Sequence, residues 1–283
     1  MPAEATVPVS FREALDALAA RRLLPTNASA ADLATLAPEI RQRALFSART
    51  ESAAHLQRIR DTVRAILQPS SESGAGVNDA RGRELLRDSL REIGYQPAQV
   101  GAAPGSLRDL GSRQRLQLIL DMQVGMARGY GYYAQGANAA VLDQWPAQEF
   151  LRVEPRDRPR GDDYWRARWL GAGGRTFPGG RMVALKDSDV WTNLSAFGLP
   201  YPPFDYGSGM GVQDVSRADA EALGLLGPDD DVQVERMPFA DGLPAAALDP
   251  LDANDPLGAA ILDAFGDSAT FQDGVLRLAQ EAA

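Results

Sequence analysis

The segment at residues 180–224 most restricts how this chain can fold. It places a Pro202-Pro203 pair and four glycines within residues 198–211, and no long helix tolerates that density of Pro and Gly. Aromatic residues lie close to the predicted turns, namely Trp191, Phe197, Tyr201, Phe204 and Tyr206. Ser216 is suited to cap a short helix that Gly224 would end. The segment therefore predicts a small irregular domain held by turns and aromatic packing.

The residue types that the chain lacks exclude several chemistries. It contains no cysteine, which excludes disulfides, thiolate zinc sites and cysteine nucleophiles. Its one histidine, His55, excludes a multi-histidine metal site and is better explained as a structural residue within a helix. A Ser-His-Asp triad would need this histidine, and no G-x-S-x-G motif accompanies it. A serine hydrolase is therefore rejected.

Hydropathy and charge limit where the protein acts. No run of 18 apolar residues occurs and the N-terminus lacks a signal-peptide pattern, so we expect cytoplasmic synthesis and no membrane contact. The net charge is −12 from Ala218 onward and +3 before it. Within the earlier part, residues 152–181 carry a net charge of +4. The chain thus combines a mildly basic middle with a strongly acidic tail.

The periodicity predicts an α+β protein of three parts. Residues 1–140 are predicted to form a helical domain, including one long helix from Pro38 to about Leu67 and others that begin near Asn78 and Ser112. Residues 141–226 are predicted to form a small α+β domain with strands at 149–153 and 181–185, joined mostly by loop. Residues 227–283 read as an acidic, Pro-rich linker followed by an amphipathic segment.

An arginine run is the most suggestive chemical feature. Tyr164, Trp165 and Trp169 are interleaved with six arginines, at positions 152, 156, 158, 160, 166 and 168. Arginine with aromatic residues is typical both of protein interfaces and of nucleic-acid stacking surfaces. Four nearby acids could instead pair with the arginines to make an internal scaffold, namely Glu154, Asp157, Asp162 and Asp163. The sequence leaves these three alternatives open.

The glycine and acidic clusters have simpler explanations than ligand binding. Residues 171–174 and 179–180 are Gly-rich but lack the lysine and hydroxyl of a phosphate loop, so tight turns explain them better. The acids at 229–231 and 249–255 do not follow the calcium-loop pattern. We therefore predict no cofactor and no metal.

The order of four segments resembles the Mu F-like head-morphogenesis, or minor head, proteins of tailed bacteriophages. The segments are a helix at 115–129, a strand with arginines at 150–160, an element from Asp187 to Trp191 and a Pro-Pro turn at 201–205. Many members carry Cys and His near the arginines and after the turn, whereas this chain carries none there. We expect packing of aromatic side chains to replace that metal site, through Trp191, Tyr201, Phe204 and Tyr206.

The resemblance implies a structural, non-enzymatic protein of a phage, prophage or gene-transfer particle. Its expected partners are portal and capsid proteins, with possible contact to packaged DNA, and its expected location is the virion head after assembly in the host cytoplasm. The expected contact patch comprises Arg156, Arg158, Arg160, Trp165 and Trp169. The expected structural motif comprises Asp187, Trp191, Tyr201, Pro202, Pro203, Phe204 and Asp205.

The alternative from another class is an enzyme carried with such a particle. An ADP-ribosyltransferase would need a paired-glutamate element with an upstream Ser-Thr-Ser strand, and the sequence contains neither. A carboxylate-based hydrolase using Glu149 and Asp187 stays open, although no motif favours it. A free nucleic-acid-binding module conflicts with the overall charge of −9.

Overall fold

A computed structural model describes residues 12–68, 77–156, 159–234 and 251–279 of the chain. The fold is α+β, as predicted from the sequence. The chain divides into two compact units, one within Met1–Val124 and Phe239–Ala283 and the other within Gly125–Pro238. These divisions differ from the predicted boundaries at 140 and 226. The first division falls at residue 124, inside the helix Arg113–Gly136, and the elements after residue 250 belong to the N-terminal unit.

The helices and strands alternate irregularly along the chain. The helices are α1 Arg12–Ala20, α2 Ala30–Leu33, α3 Pro38–Arg43, α4 Ala53–Leu67, α5 Asp79–Glu92, α6 Arg113–Gly136, α7 Ala139–Gln144, α8 Asp162–Gly171, α9 Val190–Leu194, α10 Arg217–Ala222 and α11 Pro256–Phe265. The strands are β1 Arg22–Leu23, β2 Ala44–Leu45, β3 Ala147–Arg152, β4 Thr176–Phe177, β5 Arg181–Leu185, β6 Met210–Val215, β7 Ala269–Gln272 and β8 Val275–Leu278. None of the helices described here is long and apolar enough to cross a membrane.

The predicted long helix from Pro38 to Leu67 is wrong, because the chain leaves the helix after α3. Ala44 and Leu45 instead pair in parallel with β1. Arg49 then takes a left-handed conformation with φ of 59°, and the Ser52 side chain caps α4 by accepting from the backbone N–H of His55. The apolar stripe that suggested one helix is therefore shared between two helices and a strand.

Residues 24–44 and 251–276 together build the core of the N-terminal unit. The buried side chains come from α2, α3, β2, the loops before α2 and α3, and the segment after position 250, namely Leu24, Ala28, Leu33, Leu36, Ile40, Ala44, Leu251, Leu257, Ile261, Ala269 and Leu276. The Asn27 side chain accepts from the Leu278 N–H at 2.8 Å and donates to its carbonyl at 3.2 Å. Arg22 Nη1 pairs with Asp255 Oδ2 at 2.5 Å, with both side chains largely buried. The predicted amphipathic segment is therefore an integral part of this unit.

The second unit is built on a four-stranded antiparallel sheet in the order β4-β5-β3-β6. The predicted strands at 149–153 and 181–185 correspond to β3 and β5. The intervening segment, predicted to be mostly loop, contains the ten-residue helix α8. This prediction failed because Pro and Gly flank α8 closely, while its Trp165 and Trp169 lie four residues apart and so share one helical face.

Candidate functional site

Aromatic side chains converge at the centre of the second unit. Phe150 on β3 stacks on Trp169 of α8 at 5.9 Å between ring centroids, and it meets Phe204 edge-on at 5.5 Å. Trp191 of α9 lies 5.5 Å from Trp169 and 6.0 Å from Phe204. The indole N–H groups of Trp169 and Trp191 donate to backbone carbonyls at 2.8 Å. Each ring buries a large apolar area, so this cluster holds α8 and α9 against the sheet.

The structure contradicts the predicted exposure of two residues of the contact patch. Trp165 and Trp169 are only 1% and 0% exposed, so they belong to the core and offer no surface to a partner. Both project from the same face of α8, and that face packs on the sheet. Arg158 lies outside the described residues. Arg156 and Arg160 are the members of the predicted patch whose side chains reach the described surface, at 27% and 38% exposure.

Asp205 holds two of the arginines in place. Its Oδ2 accepts from Arg168 Nη1 at 2.7 Å and lies 3.3 Å from Arg160 Nη1, while its own side chain is 13% exposed. Its Oδ1 accepts from the backbone N–H of Tyr206 at 2.7 Å. A poorly hydrated carboxylate with these donors stabilises the turn after the Pro-Pro pair. The sequence placed Asp205 in a structural motif but did not identify its arginine partners.

The other arginines are tied to neighbouring chain. Arg152 donates to the carbonyls of Ser208 and Arg160 at 3.0 and 2.9 Å. Arg156 pairs with Glu154 at 2.6 Å. Of the four acids considered as internal partners, Glu154 thus pairs with an arginine of the run, while Asp162 and Asp163 lie in the first turn of α8. Asp157 lies outside the described residues. The arginine run is therefore in large part a scaffold.

An exposed surface nevertheless remains above that scaffold. The Arg160 guanidinium lies 5.6 Å from the ring centroid of Tyr164, and its Nη2 donates to the carbonyl of Tyr206. Tyr164 and Tyr206 are 45% and 48% exposed. Cations stacked on tyrosine rings are common at binding surfaces. We call Arg156, Arg160, Tyr164 and Tyr206 the arginine–tyrosine surface.

The Pro-Pro turn packs directly on the backbone of α6. A Cβ atom at Gly129 would lie 1.8 Å from the carbonyl oxygen of Pro202, so only glycine fits there, and the peptide bond between Pro202 and Pro203 is cis. Gly125, one turn earlier, faces the ring of Pro203 at an ordinary contact distance of 3.5 Å. This spacing of two glycines on one helical face was visible in the sequence, but it was not recognised as a docking site for the turn.

The aromatic residues expected to replace a metal site form three separate groups. Trp191 and Phe204 belong to the central cluster, as expected. Tyr201 instead packs against Tyr130 and Tyr133 of α6, at 5.8 and 5.5 Å. Tyr206 meets Phe197 edge-on at 4.9 Å. Each of the four rings is therefore in aromatic contact, but not with the other three, because Tyr201 packs on α6. Within the described ranges, no group of three or more potential metal ligands occurs.

The remaining candidate residues occupy separate environments. Arg181 donates twice to Glu149, at 2.9 and 2.7 Å. Asp187 lies in the turn after β5, where loss of hydration raises the pKa of its carboxyl group and the nearby charge of Asp189 raises it further. His55 is 1% exposed, and its Nδ1 lies 2.6 Å from Ser89 Oγ. Its burial lowers its pKa from 6.5 to about 4, so it is neutral at pH 7.

No family model, curated protein or solved structure significantly matches this chain.

Proposed function

We propose that this protein is a structural minor component of a phage, prophage or gene-transfer particle head. It associates with the portal and capsid proteins and acts in head assembly or genome passage. It is made in the host cytoplasm and ends in the virion. The basis of the proposal is the order of four sequence segments that resembles the Mu F-like minor head proteins.

The observation that carries the proposal is that residues from all four segments meet in the second unit. Phe150, Trp191 and Phe204 represent the strand, the segment from Asp187 to Trp191 and the Pro-Pro turn, and their rings lie in one cluster. The helical segment contributes its last residue, Gly129, which lies within α6 and on which Pro202 packs. Segments up to about 80 residues apart in sequence therefore pack together as one structural motif. This packing supports the resemblance, because it gives a structural reason for the segments to occur together in one order.

The arginine–tyrosine surface is the proposed contact with the portal or with packaged DNA. Arginine and tyrosine are enriched among residues that dominate binding energy at interfaces. Arg156 and Arg160 lie in residues 152–181, which carry a net charge of +4 in a chain whose overall charge is −9. A protein partner would bind with weak dependence on salt, whereas DNA would be released steeply as salt rises.

The test is to recover the tagged protein from cells that produce the particle and to identify its partners, and the content of purified particles, by mass spectrometry. Recovery with portal and capsid proteins, at low copy number in the particle, is expected. Arg156→Ala combined with Arg160→Ala should reduce that recovery at least fivefold. The matched control is Arg108→Ala, since Arg108 is an exposed arginine of the other unit.

Absence of the protein from particles, or capture with unrelated cellular proteins, would contradict the proposal. That result would favour the enzyme alternative, and activity screens with Glu149→Gln and Asp187→Asn would follow. Unchanged recovery of the double arginine variant would mean that the arginine–tyrosine surface is only a scaffold. The head-protein assignment would then depend on whether the protein is found in purified particles.

A further inference from the structure

A cleft of about 350 Å³ opens beside β5 in the second unit. One wall is the turn at residues 173–175, and the opposite wall is the end of β5 with the turn that follows it. β4 pairs with β5 only through Thr176 and Phe177, so the chain diverges from β5 beyond this point and leaves the gap. The volume lies at the small end of ligand pockets, which suits one long side chain better than a cofactor.

The lining combines an apolar floor with a carboxylate. Val183, Val190 and Leu225 contribute the apolar part, and Asp187 contributes the acid. Among the described residues, no basic side chain forms an ion pair with Asp187, whereas Glu149 and Asp205 in the same unit each hold at least one arginine. Asp187 therefore offers negative charge at an apolar site without a cation of its own.

The electrostatics of Asp187 agree with this geometry. Although Asp187 is exposed to solvent, partial burial raises the pKa of its carboxyl group, and the negative charge of Asp189 nearby raises it further, while a backbone hydrogen bond opposes the shift. A cation placed against the carboxylate would reverse both effects, since an opposite charge favours the ionised form. A positively charged ligand should therefore bind in the cleft more tightly than a neutral or a negatively charged one.

Arg175 also lines the cleft, but its charge is engaged elsewhere. Its Nη2 donates to the carbonyl of Gly224 at 2.9 Å, and its guanidinium lies 5.0 Å from the centroid of the Phe177 ring. The carbonyl dipole and the ring face both attract this cation away from the cavity. It forms part of the wall, where these contacts hold its guanidinium, and none of the described basic side chains forms an ion pair with Asp187.

We infer that the cleft receives an arginine side chain of a partner protein. The apolar floor suits the three-carbon stem, and the planar guanidinium matches a carboxylate with two parallel hydrogen bonds. Glycine is required at both positions of this wall, because Gly173 has φ of 93° and a Cβ at Gly174 would lie 2.4 Å from the buried Trp169 ring. A cleft of this kind can bind an arginine of a partner whether or not the protein is a head protein.

The direct test is titration of the ¹⁵N-labelled full-length protein with N-acetyl-arginine methylamide, followed by NMR. Binding in the millimolar range is expected, with the largest shifts at the amides of Gly173, Gly174 and Ser188. N-acetyl-citrulline methylamide has nearly the same shape without the charge, and it should bind at least tenfold more weakly. Binding should also weaken as pH falls, because Asp187 must be ionised. Since the pKa of Asp187 is raised, this loss of affinity should begin at a higher pH than for an ordinary aspartate.

Variants identify the charge that is responsible. Asp187→Asn should weaken binding of the arginine probe at least fivefold, while Asp163→Asn, an equal charge change at an exposed site on α8, should leave binding unchanged. Equal affinity for the citrulline probe would overturn the inference, because the cleft would then be only an apolar groove. Preference for N-acetyl-glutamate methylamide would also overturn it, since Arg175 would then be the anchor.

Discussion

Gly125 and Gly129 lie one turn apart on the same face of α6, yet they tolerate a side chain very differently. The Cβ of an alanine would lie 1.8 Å from the Pro202 oxygen at position 129, but 3.5 Å from the nearest atom of Pro203 at position 125. Backbone oxygen cannot move aside as a flexible side-chain end can. Position 129 therefore requires glycine for packing, whereas position 125 does not.

Alanine substitution at these two glycines should have opposite effects on stability. Gly129→Ala should lower the free energy of unfolding by about 1–3 kcal/mol or more, because it overpacks a closed contact. Gly125→Ala should leave it unchanged or raise it by up to about 1 kcal/mol, because alanine favours the helix. Urea unfolding followed by tryptophan fluorescence measures this, since all four tryptophans lie in the second unit. Equal losses for both variants would contradict the packing model.

His55 should make stability depend on pH below neutrality. Its folded pKa of about 4 lies below the unfolded value of 6.5, so between these values the unfolded chain binds more protons. Stability is then full above about pH 6.5 and falls as pH decreases towards 4. The loss from pH 7 to pH 5 should be about 2 kcal/mol.

His55→Gln isolates that dependence because the chain contains one histidine. Gln retains a hydrogen-bonding group near Ser89 but does not titrate. Urea titration at pH 7 and at pH 5 gives the unfolding free energies of the wild type and the variant. The difference between the two proteins should change by about 2 kcal/mol between these pH values. A difference that does not change with pH would show that burial does not control the protonation of His55.

At the scale of elements, one carboxylate joins α8 to the turn before β6. Arg168 and Arg160 both reach Asp205, which is mostly buried, whereas Arg156 pairs with Glu154, whose side chain is 59% exposed. A charge-assisted bond is worth more where water is excluded, and an exposed pair contributes little. Within the same arginine run, Asp205 therefore forms structural ion pairs, whereas Glu154 forms a surface ion pair.

Asp205→Ala should destabilise the second unit more than Glu154→Ala. The first leaves two arginines without their shared acceptor and should cost about 2 kcal/mol. The second should cost about 0–1 kcal/mol, because solvent screens the pair. Tryptophan fluorescence during urea unfolding measures both variants. Similar small losses would mean that water replaces the Asp205 carboxylate without penalty.

At the scale of the whole molecule, residues 24–44 and 251–276 share one core although they are far apart in sequence. Leu251, Leu257, Ile261 and Leu276 are each no more than 5% exposed in a core that they share with α2, α3 and β2. Contacts between residues about 250 positions apart close this unit. The sequence predicted an acidic linker followed by an amphipathic segment, and the apolar side chains of that segment, such as Ile261 and Leu276, lie in the N-terminal core. Residues 235–250 of the predicted linker lie outside the described residues.

Leu276→Ala should therefore destabilise the N-terminal unit, although the residue lies near the C-terminus. Removing a fully buried leucine side chain should cost about 2–5 kcal/mol. Hydrogen exchange at the amides of β1 and α4 reports on this unit, which contains no tryptophan. Leu278→Ala, on the same strand but only partly buried, is the matched control and should cost less. Unchanged protection in Leu276→Ala would mean that the C-terminal segment is dispensable.

Local patterns by themselves determined the α+β class, helix α5, the start of α6 and the strands β3 and β5. These depend on periodicity and on caps, such as the Asn78 side chain that accepts from the Arg81 N–H. Tertiary structure alone decided that Trp165 and Trp169 face inward, which carboxylate each arginine contacts and that Gly129 receives the Pro-Pro turn. It also decided that the last elements complete the first unit. Such contacts join residues far apart in sequence, so the packing of the whole chain selects them and no local propensity specifies them.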